Sequence, residues 1–292
     1  MTTDYSKKQE ERDQPNTVQI GKLNHLEIVK EVDFGLYLEG GEEFGEILLP
    51  RRYMPKTFAI GDRLSVFLYC DSEDRLIATT EKPLAMVGDF AALKVVSVNS
   101  FGAFLDWGLS KDLFLPRGEQ TRELKAGSNC VVRVFRDDTG RIAASTKLDR
   151  FLNQTPPNYH PGLAVFLLIV HQTDLGYTAI INKSHLGMLF KDEVFEPLKP
   201  GMQKTGFIKK VREDGKIDLS LYKLGYEKVG DILDLVMDQL KAEGGFLPLT
   251  DKTSPEVIYK RFGISKKVYK KAIGSLYKQR LVVIEDKGIR LT

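Results

Sequence analysis

At 292 residues, with 42% hydrophobic and 28% charged side chains, the chain is too long for one small core and too apolar to be disordered, so about two to four folded units are expected. A net charge of +3 does not by itself announce a polyanion binder. No stretch reaches the roughly 18 consecutive apolar residues of a spanning helix, and Met1 to Pro15 lacks the apolar centre of a signal peptide, which predicts a cytoplasmic protein with no membrane partner.

Residues 1–16 are charged and without periodicity, and are expected to be disordered. An internal repeat follows. Gly21, Gly35 and Gly61 recur as Gly88, Gly102 and Gly127, and again as Gly162, Gly176 and Gly201; the first interval is 14 residues each time, and the whole span is 40, 39 and 39. A basic residue leading an alternating strand comes 14 or 15 residues after each third glycine: Arg75, Arg141 and Lys216. A repeated unit of this kind is sought first because it fixes the architecture.

Between these landmarks the pattern is β. In the second copy the predicted strands are Leu93 to Val98, Phe101 to Trp107, Leu113 to Pro116, Cys130 to Phe135 and Arg141 to Ser145. Five short strands in about 65 residues, with a glycine where a strand must bend, match an OB-type barrel. The expected barrels are 17–82, 83–149 and 162–224, with a proline-rich linker at 150–161. Cys70 and Cys130 fall in different barrels, each in an apolar run, and read as small buried hydrophobes with no disulfide.

Residues 225–292 form the last unit. Asp231 to Lys241 is amphipathic. Ser254 is placed to cap a second helix with Pro255 at its first position, Gly263 ends it, and Ser265 opens a third helix running to Gln279. That helix is expected to bury Val268, Ala272, Ile273 and Leu276 and to display Lys266, Lys267, Lys270, Lys271 and Lys278. Strands Leu281 to Glu285 and Ile289 to Thr292 follow, with Asp286-Lys287-Gly288 as the turn. A helix-glycine-helix corner with a trailing hairpin resembles a winged helix-turn-helix domain, whose wing tip would be that turn. The fold class expected is therefore mainly β with a C-terminal α+β unit.

Charge is uneven along the chain. Lys plus Arg against Asp plus Glu count 8 and 12 over 21–86, 10 and 8 over 87–160, 9 and 7 over 161–225, and 13 and 9 over 226–292. The first barrel is acidic and the last unit is the most basic.

The second copy, through Phe101-Gly102-Ala103-Phe104-Leu105-Asp106-Trp107-Gly108 and Asp137-Asp138-Thr139-Gly140-Arg141-Ile142, resembles the S-one RNA-binding domain, a barrel named after a ribosomal protein. The resemblance implies an RNA-facing patch at Phe101, Phe104, Leu115, Asp137 and Arg141. The first copy keeps the pattern as Phe34, Tyr37, Asp71 and Arg75. The third departs from it: Leu175 and Thr178 take the ring positions, Tyr177 lies between them and Lys216 replaces the arginine. The third-strand histidine common in that family is absent, its matching residues here being Leu49, Leu115 and Phe190. A bend at the glycine would bring both rings of the motif outside, where each stacks a base for about 1 to 3 kcal/mol while a guanidinium meets the phosphate. Unpaired strands suit such a face better than duplexes.

Three barrels and a winged helix in this order resemble the bacterial conserved virulence factor B family of RNA-binding regulators, which implies post-transcriptional control. The residues point to no catalysis. His25, His160, His171 and His185 are scattered without metal-ligand spacing, no phosphate-binding loop or nucleophile elbow is present, and Asp137-Asp138 and Glu42-Glu43 are adjacent turn acids. No cofactor is expected. The expected partner is single-stranded RNA, with auxiliary electrostatic contact by the lysine-rich helix. Two other readings stand beside it: a DNA-binding transcription regulator led by the winged helix, and an adaptor docked on the ribosome or RNA polymerase through its barrels.

Overall fold

The structure, a computed structural model, describes residues 17–155, 158–194, 196–222 and 229–292. The segment 1–16, expected to be disordered, lies outside the described residues, as do Pro156 and Pro157 of the linker and the boundary expected at 224/225.

The first repeat comprises β1 (Leu23–Val32), β2 (Gly35–Glu39), β3 (Glu46–Pro50), β4 (Arg63–Cys70) and β5 (Leu76–Thr79). The second comprises β6 (Phe90–Val98), β7 (Gly102–Asp106), β8 (Leu113–Pro116), β9 (Asn129–Arg136) and β10 (Ile142–Ser145). The third comprises β11 (Ala164–Gln172), β12 (Gly176–Ile181), β13 (His185–Phe190), β14 (Gln203–Val211) and β15 (Ile217–Ser220). All three share one strand order, β1-β2-β3-β5-β4 in the first. The first and third close through a parallel pairing, Leu48 with Ile77 and Gly187–Leu189 with Ile217–Leu219. In the second, no ladder joins β8 to β10, and the sheet ends at those strands.

The repeated glycines have a physical reason different from the bend expected of them. A Cβ on Gly35, Gly102 or Gly176 would lie 2.2, 2.3 or 2.0 Å from the carbonyl oxygen of Leu49, Leu115 or Leu189 on the third strand. The second strand is pressed against the third at that point, and only glycine leaves room. Each first strand instead carries an irregularity of register, at Ile28/Lys30, Val95/Ser97 and Ile169/His171, of the kind that bends and twists a strand.

Contacts divide the chain into two compact units, one ending at Leu148 and the other beginning at Asp149. Within the first unit, barrel 1 keeps its own core of Ile28, Leu36, Leu38, Leu49 and Leu68. Strand alternation turns Phe67 and Tyr69 of β4 the other way, into one apolar cluster with Trp107, Leu105 and Val132 of the second barrel. The Trp107 ring meets those of Phe67 and Tyr69 edge-on at 5.6 and 6.5 Å, and its indole N–H donates to the Lys111 carbonyl at 2.6 Å. Tyr53 bonds Ser110 across the same junction at 2.9 Å. Burial pushes the Tyr69 hydroxyl up to about 12, helped by its hydrogen bond with Tyr53.

In the second unit, barrel 3 is filled by Leu167, Ile169, Ala179, Ile181, Ile208 and Leu219. Part of the expected linker lies against this barrel: Asn153 N–H donates to the Ser184 carbonyl at 2.8 Å, and His185 Nε2 lies 3.2 Å from the Thr155 carbonyl. The winged helix comprises α1 (Val229–Ala242), β16 (Phe246–Leu247), α2 (Pro255–Phe262), α3 (Lys266–Lys278), β17 (Val282–Glu285) and β18 (Gly288–Leu291). Ser254 and Ser265 cap α2 and α3, accepting from the N–H groups of Val257 and Val268, and Gly263 ends α2 in a left-handed conformation. Ala272, Ile273 and Leu276 are buried as expected, and Val268 packs at the edge of the core. The largest buried side chain of α3 is Tyr269, which stacks on Phe262 and donates to the Leu249 carbonyl at 3.2 Å. The wing is three-stranded, since β16 adds to β18, a pairing too short for the sequence pattern to announce.

Cys70 and Cys130 are free thiols, and burial pushes the Cys130 thiol up to about 11. Among the described residues no helix is long and apolar enough to cross a membrane.

Candidate nucleic-acid interface

Phe101 precedes β7 rather than lying within it, so its outward direction needs no bend in the strand. Asn99 accepts from the N–H groups of Phe101 and Gly102 at 2.9 and 3.1 Å, which fixes the turn. The Phe101 carbonyl then takes the Arg117 N–H at 2.8 Å. The ring is left 76% exposed. The first and third barrels repeat the arrangement: Arg51 N–H bonds the Phe34 carbonyl and Lys191 N–H the Leu175 carbonyl, both at 2.9 Å, leaving Phe34 57% and Leu175 66% exposed.

The second ring position, on the strand itself, is half-buried. Phe104 packs on Phe114 of the neighbouring strand with 5.3 Å between ring centres, and the two are register partners. Tyr37 meets Phe34 edge-on at 6.3 Å, with the Lys30 ammonium 4.6 Å from the Tyr37 ring centre. Barrel 3 has no counterpart, because Thr178 at that position is buried and bonded to His171 Nδ1 at 2.9 Å.

Register corrects the third-strand assignments. Leu49 and Leu115 are fully buried core residues, and the outer residues beside the second ring position are Leu48, Phe114 and Met188. Phe190 pairs with Gly176 as Pro50 pairs with Gly35 and Pro116 with Gly102, so it stands one residue beyond the position matched to it. It is half-buried, with the Arg212 guanidinium 5.5 Å from its ring centre. Tyr177 occupies the register of the core residues Leu36 and Ala103 and packs on the barrel 3 core rather than beside Leu175. A one-residue shift in a strand exchanges its faces, so a motif matched by spacing alone can land on the wrong side.

The cations are engaged by acids at the surface. Arg75 donates to Asp71 from Nε and a terminal nitrogen at 2.9 and 2.8 Å and lies 3.1 Å from Glu73. Arg141 pairs with Asp74 of the first barrel, and Lys216 with Asp214 at 3.0 Å. Pairs this exposed contribute little and are screened by salt, so a phosphate can displace the acid. Arg75, held by two acids in an acidic barrel, is the least available of the three. Three further cations escaped the sequence reading: Arg51, Arg117 and Lys191, each directly after the third strand and bonded through its own N–H to the first ring position. Their signal was legible as Leu49-Pro50-Arg51 and Leu115-Pro116-Arg117, with Leu189-Phe190-Lys191 in step. Arg212 was also missed; its N–H bonds the Lys216 carbonyl at 2.8 Å, as Asp71 bonds Arg75 and Asp137 bonds Arg141 at 2.9 Å.

Asp137 organises a turn. Its Oδ1 accepts from the Thr139 hydroxyl at 2.6 Å and from the N–H groups of Thr139 and Arg141, each at 2.9 Å. Burial pushes its pKa up, but those donors outweigh burial and the carboxyl titrates below its usual 3.8. A depressed carboxylate stabilises the fold fully above its unfolded pKa and loses that contribution as pH falls through the folded value. Asp137→Asn is therefore expected to cost about 1 kcal/mol at neutral pH. Urea denaturation of both proteins should show the difference shrinking on acidification to about pH 2; a difference that does not change with pH would count against this role.

On α3, Lys267, Lys270 and Lys271 are exposed and Lys266 is half-buried; Lys270 lies 3.5 Å from Asp251. Among the described residues no three His, Cys, Asp or Glu side chains gather to hold a metal ion.

Residues 20–81 and 87–147 match the S1 domain family, the S-one module, and residues 234–291 match the CvfB-like winged helix domain. Both are nucleic-acid-binding domain types. The chain is 28% identical to the uncharacterized protein YitL of Bacillus subtilis over 91% of each chain. It is 26% identical to conserved virulence factor B of Staphylococcus epidermidis over 94% of this chain and 95% of that one. A solved Streptococcus pneumoniae structure, described as a multidomain protein with nucleic acid binding domains, aligns with a TM-score of 0.41 at 23% identity, covering 94% of this chain and 98% of that one. The chain is thus built of S1 domains and a CvfB-like winged helix domain, and is a homologue over most of its length of the proteins named conserved virulence factor B.

Proposed function

We propose that this protein is a non-catalytic, cytoplasmic binder of single-stranded RNA that acts as a post-transcriptional regulator, with the second barrel as its principal stacking face. The observation that carries this reading is Phe101, 76% exposed yet fixed by Asn99 and Arg117, next to the Phe104–Phe114 pair. With its backbone held by those hydrogen bonds, the solvent-facing ring offers a base an open stacking surface. The first barrel keeps both rings but ties its arginine to two acids, and the third keeps cations but has no ring at the two motif positions. Weak sites on one chain add through effective concentration. The lysines of α3 supply phosphate contact without base reading.

The test is titration of the full chain with labelled single-stranded RNA, single-stranded DNA and duplex DNA of one length at several salt concentrations. Tightest binding to the RNA is expected, with log affinity falling linearly in log salt by roughly 0.7 per phosphate contacted. Tighter binding to duplex would transfer the function to the winged helix as a DNA-binding regulator. Absence of binding at low salt would leave the protein-docking adaptor, on ribosome or RNA polymerase.

A further inference from the structure

A cavity of about 230 Å³ opens where the first two barrels meet, at the edge where β8 and β10 share no ladder. Its walls include the rings of Tyr69, Trp107 and Phe114, together with Asp112, Lys111 and Arg141. The lining argues against an anion. Asp74, Asp112 and Asp137 all border the space, while Lys111 spends its ammonium on the carbonyls of Cys70 and Asp71 at 3.0 and 2.6 Å and Arg141 is paired with Asp74. Nor do those acids form a metal cluster among the described residues. What remains is a small, ring-walled space that is rich in acceptors and suited to a flat, neutral group carrying N–H donors.

One carboxylate is wholly unspent. The Asp137 turn engages its Oδ1 and Asp74 holds Arg141, whereas neither oxygen of the half-buried Asp112 carboxylate has a hydrogen-bond or ion-pair partner among the described residues. Burial, then the neighbouring Asp106, raises its pKa, so its charge lacks donors in the free protein. Phe114 belongs both to this cavity and to the outer stack with Phe104. A strand lying on that stack can therefore turn one base inward.

We propose that this junction is a base-reading subsite for one unpaired guanine, whose N1–H and N2–H donate in parallel to the Asp112 carboxylate while its ring lies against Phe114 and Trp107. Guanine is the one common base that presents two adjacent donors on its pairing edge; adenine, cytosine and uracil each offer a carboxylate a single donor there. The cavity around the base is also walled by Tyr69, Cys70 and Asp74 of the first barrel, which gives that barrel a part in shaping the subsite despite its acidity. The proposal deepens the RNA-binding reading and rests on it for its biological ligand.

The experiment uses the full chain and three RNA heptamers: all uridine, uridine with one central guanosine, and uridine with one central inosine, which lacks the 2-amino group. The guanosine heptamer is expected to bind roughly tenfold tighter than the other two, and Asp112→Asn to erase that difference. Trp107, the single tryptophan of the chain, gives an indole N–H resonance that should shift with the guanosine heptamer and stay in place with the other two. Equal affinities, or a discrimination that survives Asp112→Asn, would overturn the subsite while leaving the stacking face intact. If no heptamer binds, the RNA reading fails; guanosine monophosphate then probes the cavity directly, and an unmoved Trp107 resonance at millimolar nucleotide overturns the subsite too.

Discussion

Replacing Trp107 with alanine is expected to destabilise the first unit by about 3–5 kcal/mol, the cost of deleting a large aromatic side chain from a core. Trp107 is 3% exposed and touches Phe67 and Tyr69 of the other barrel. Its removal opens a cavity between the two barrels and leaves the Lys111 carbonyl without its donor. A loss of this size is a large part of the roughly 5–15 kcal/mol that holds a domain folded. Because the cluster spans the junction, residues 17–148 should unfold as one cooperative step in the native protein and as two in Trp107→Ala. Urea denaturation followed by circular dichroism and by calorimetry reads both effects. A midpoint shift worth under about 1 kcal/mol, within the range of surface substitutions, would show that the barrels do not depend on their shared core.

Replacing Phe101 and Phe104 together with alanine is expected to weaken single-stranded RNA binding by roughly 30-fold or more, since each lost stacking surface is worth about 1 to 3 kcal/mol. The two rings differ in what they do for the fold. Phe101 faces solvent, and its loss should alter stability by no more than about 0.5 kcal/mol. Phe104 packs on Phe114, and losing that pair should cost about 1 kcal/mol. A double variant that melts near the parent temperature and binds RNA as tightly would sink the stacking face.

The arginines show how interface residues and their availability diverge. Arg75 and Arg141 hold the same place in their repeats, and both follow an aspartate-organised turn. Arg75 closes on the aspartate of its own turn, whereas Arg141 reaches Asp74 in the preceding barrel. Asp71, like Asp137, is pushed up by burial and more strongly down by its donors, so both turns are held by ionised carboxylates near neutral pH. No spacing rule distinguishes the two arginines, since the difference lies in which acid the packing of two barrels brings near.

The amino-acid sequence by itself determined the repeat, the five-stranded units, the helix caps at Ser254 and Ser265, and the presence of Phe34 and Phe101 beside a glycine. The strands and caps follow from local chemistry, since alternation sets a strand and a hydroxyl satisfies orphan N–H groups; that the glycine is needed to admit a carbonyl of the neighbouring strand was decided only by strand pairing. Tertiary structure alone decided that Tyr177 and Leu115 turn inward, that Arg51, Arg117 and Lys191 stand beside the first ring position, and that Trp107 with Tyr69 joins two barrels around a cavity. Those outcomes depend on register and on contacts between residues distant along the chain, and the free energy that selects them comes from burying surfaces that exist only after the strands have paired.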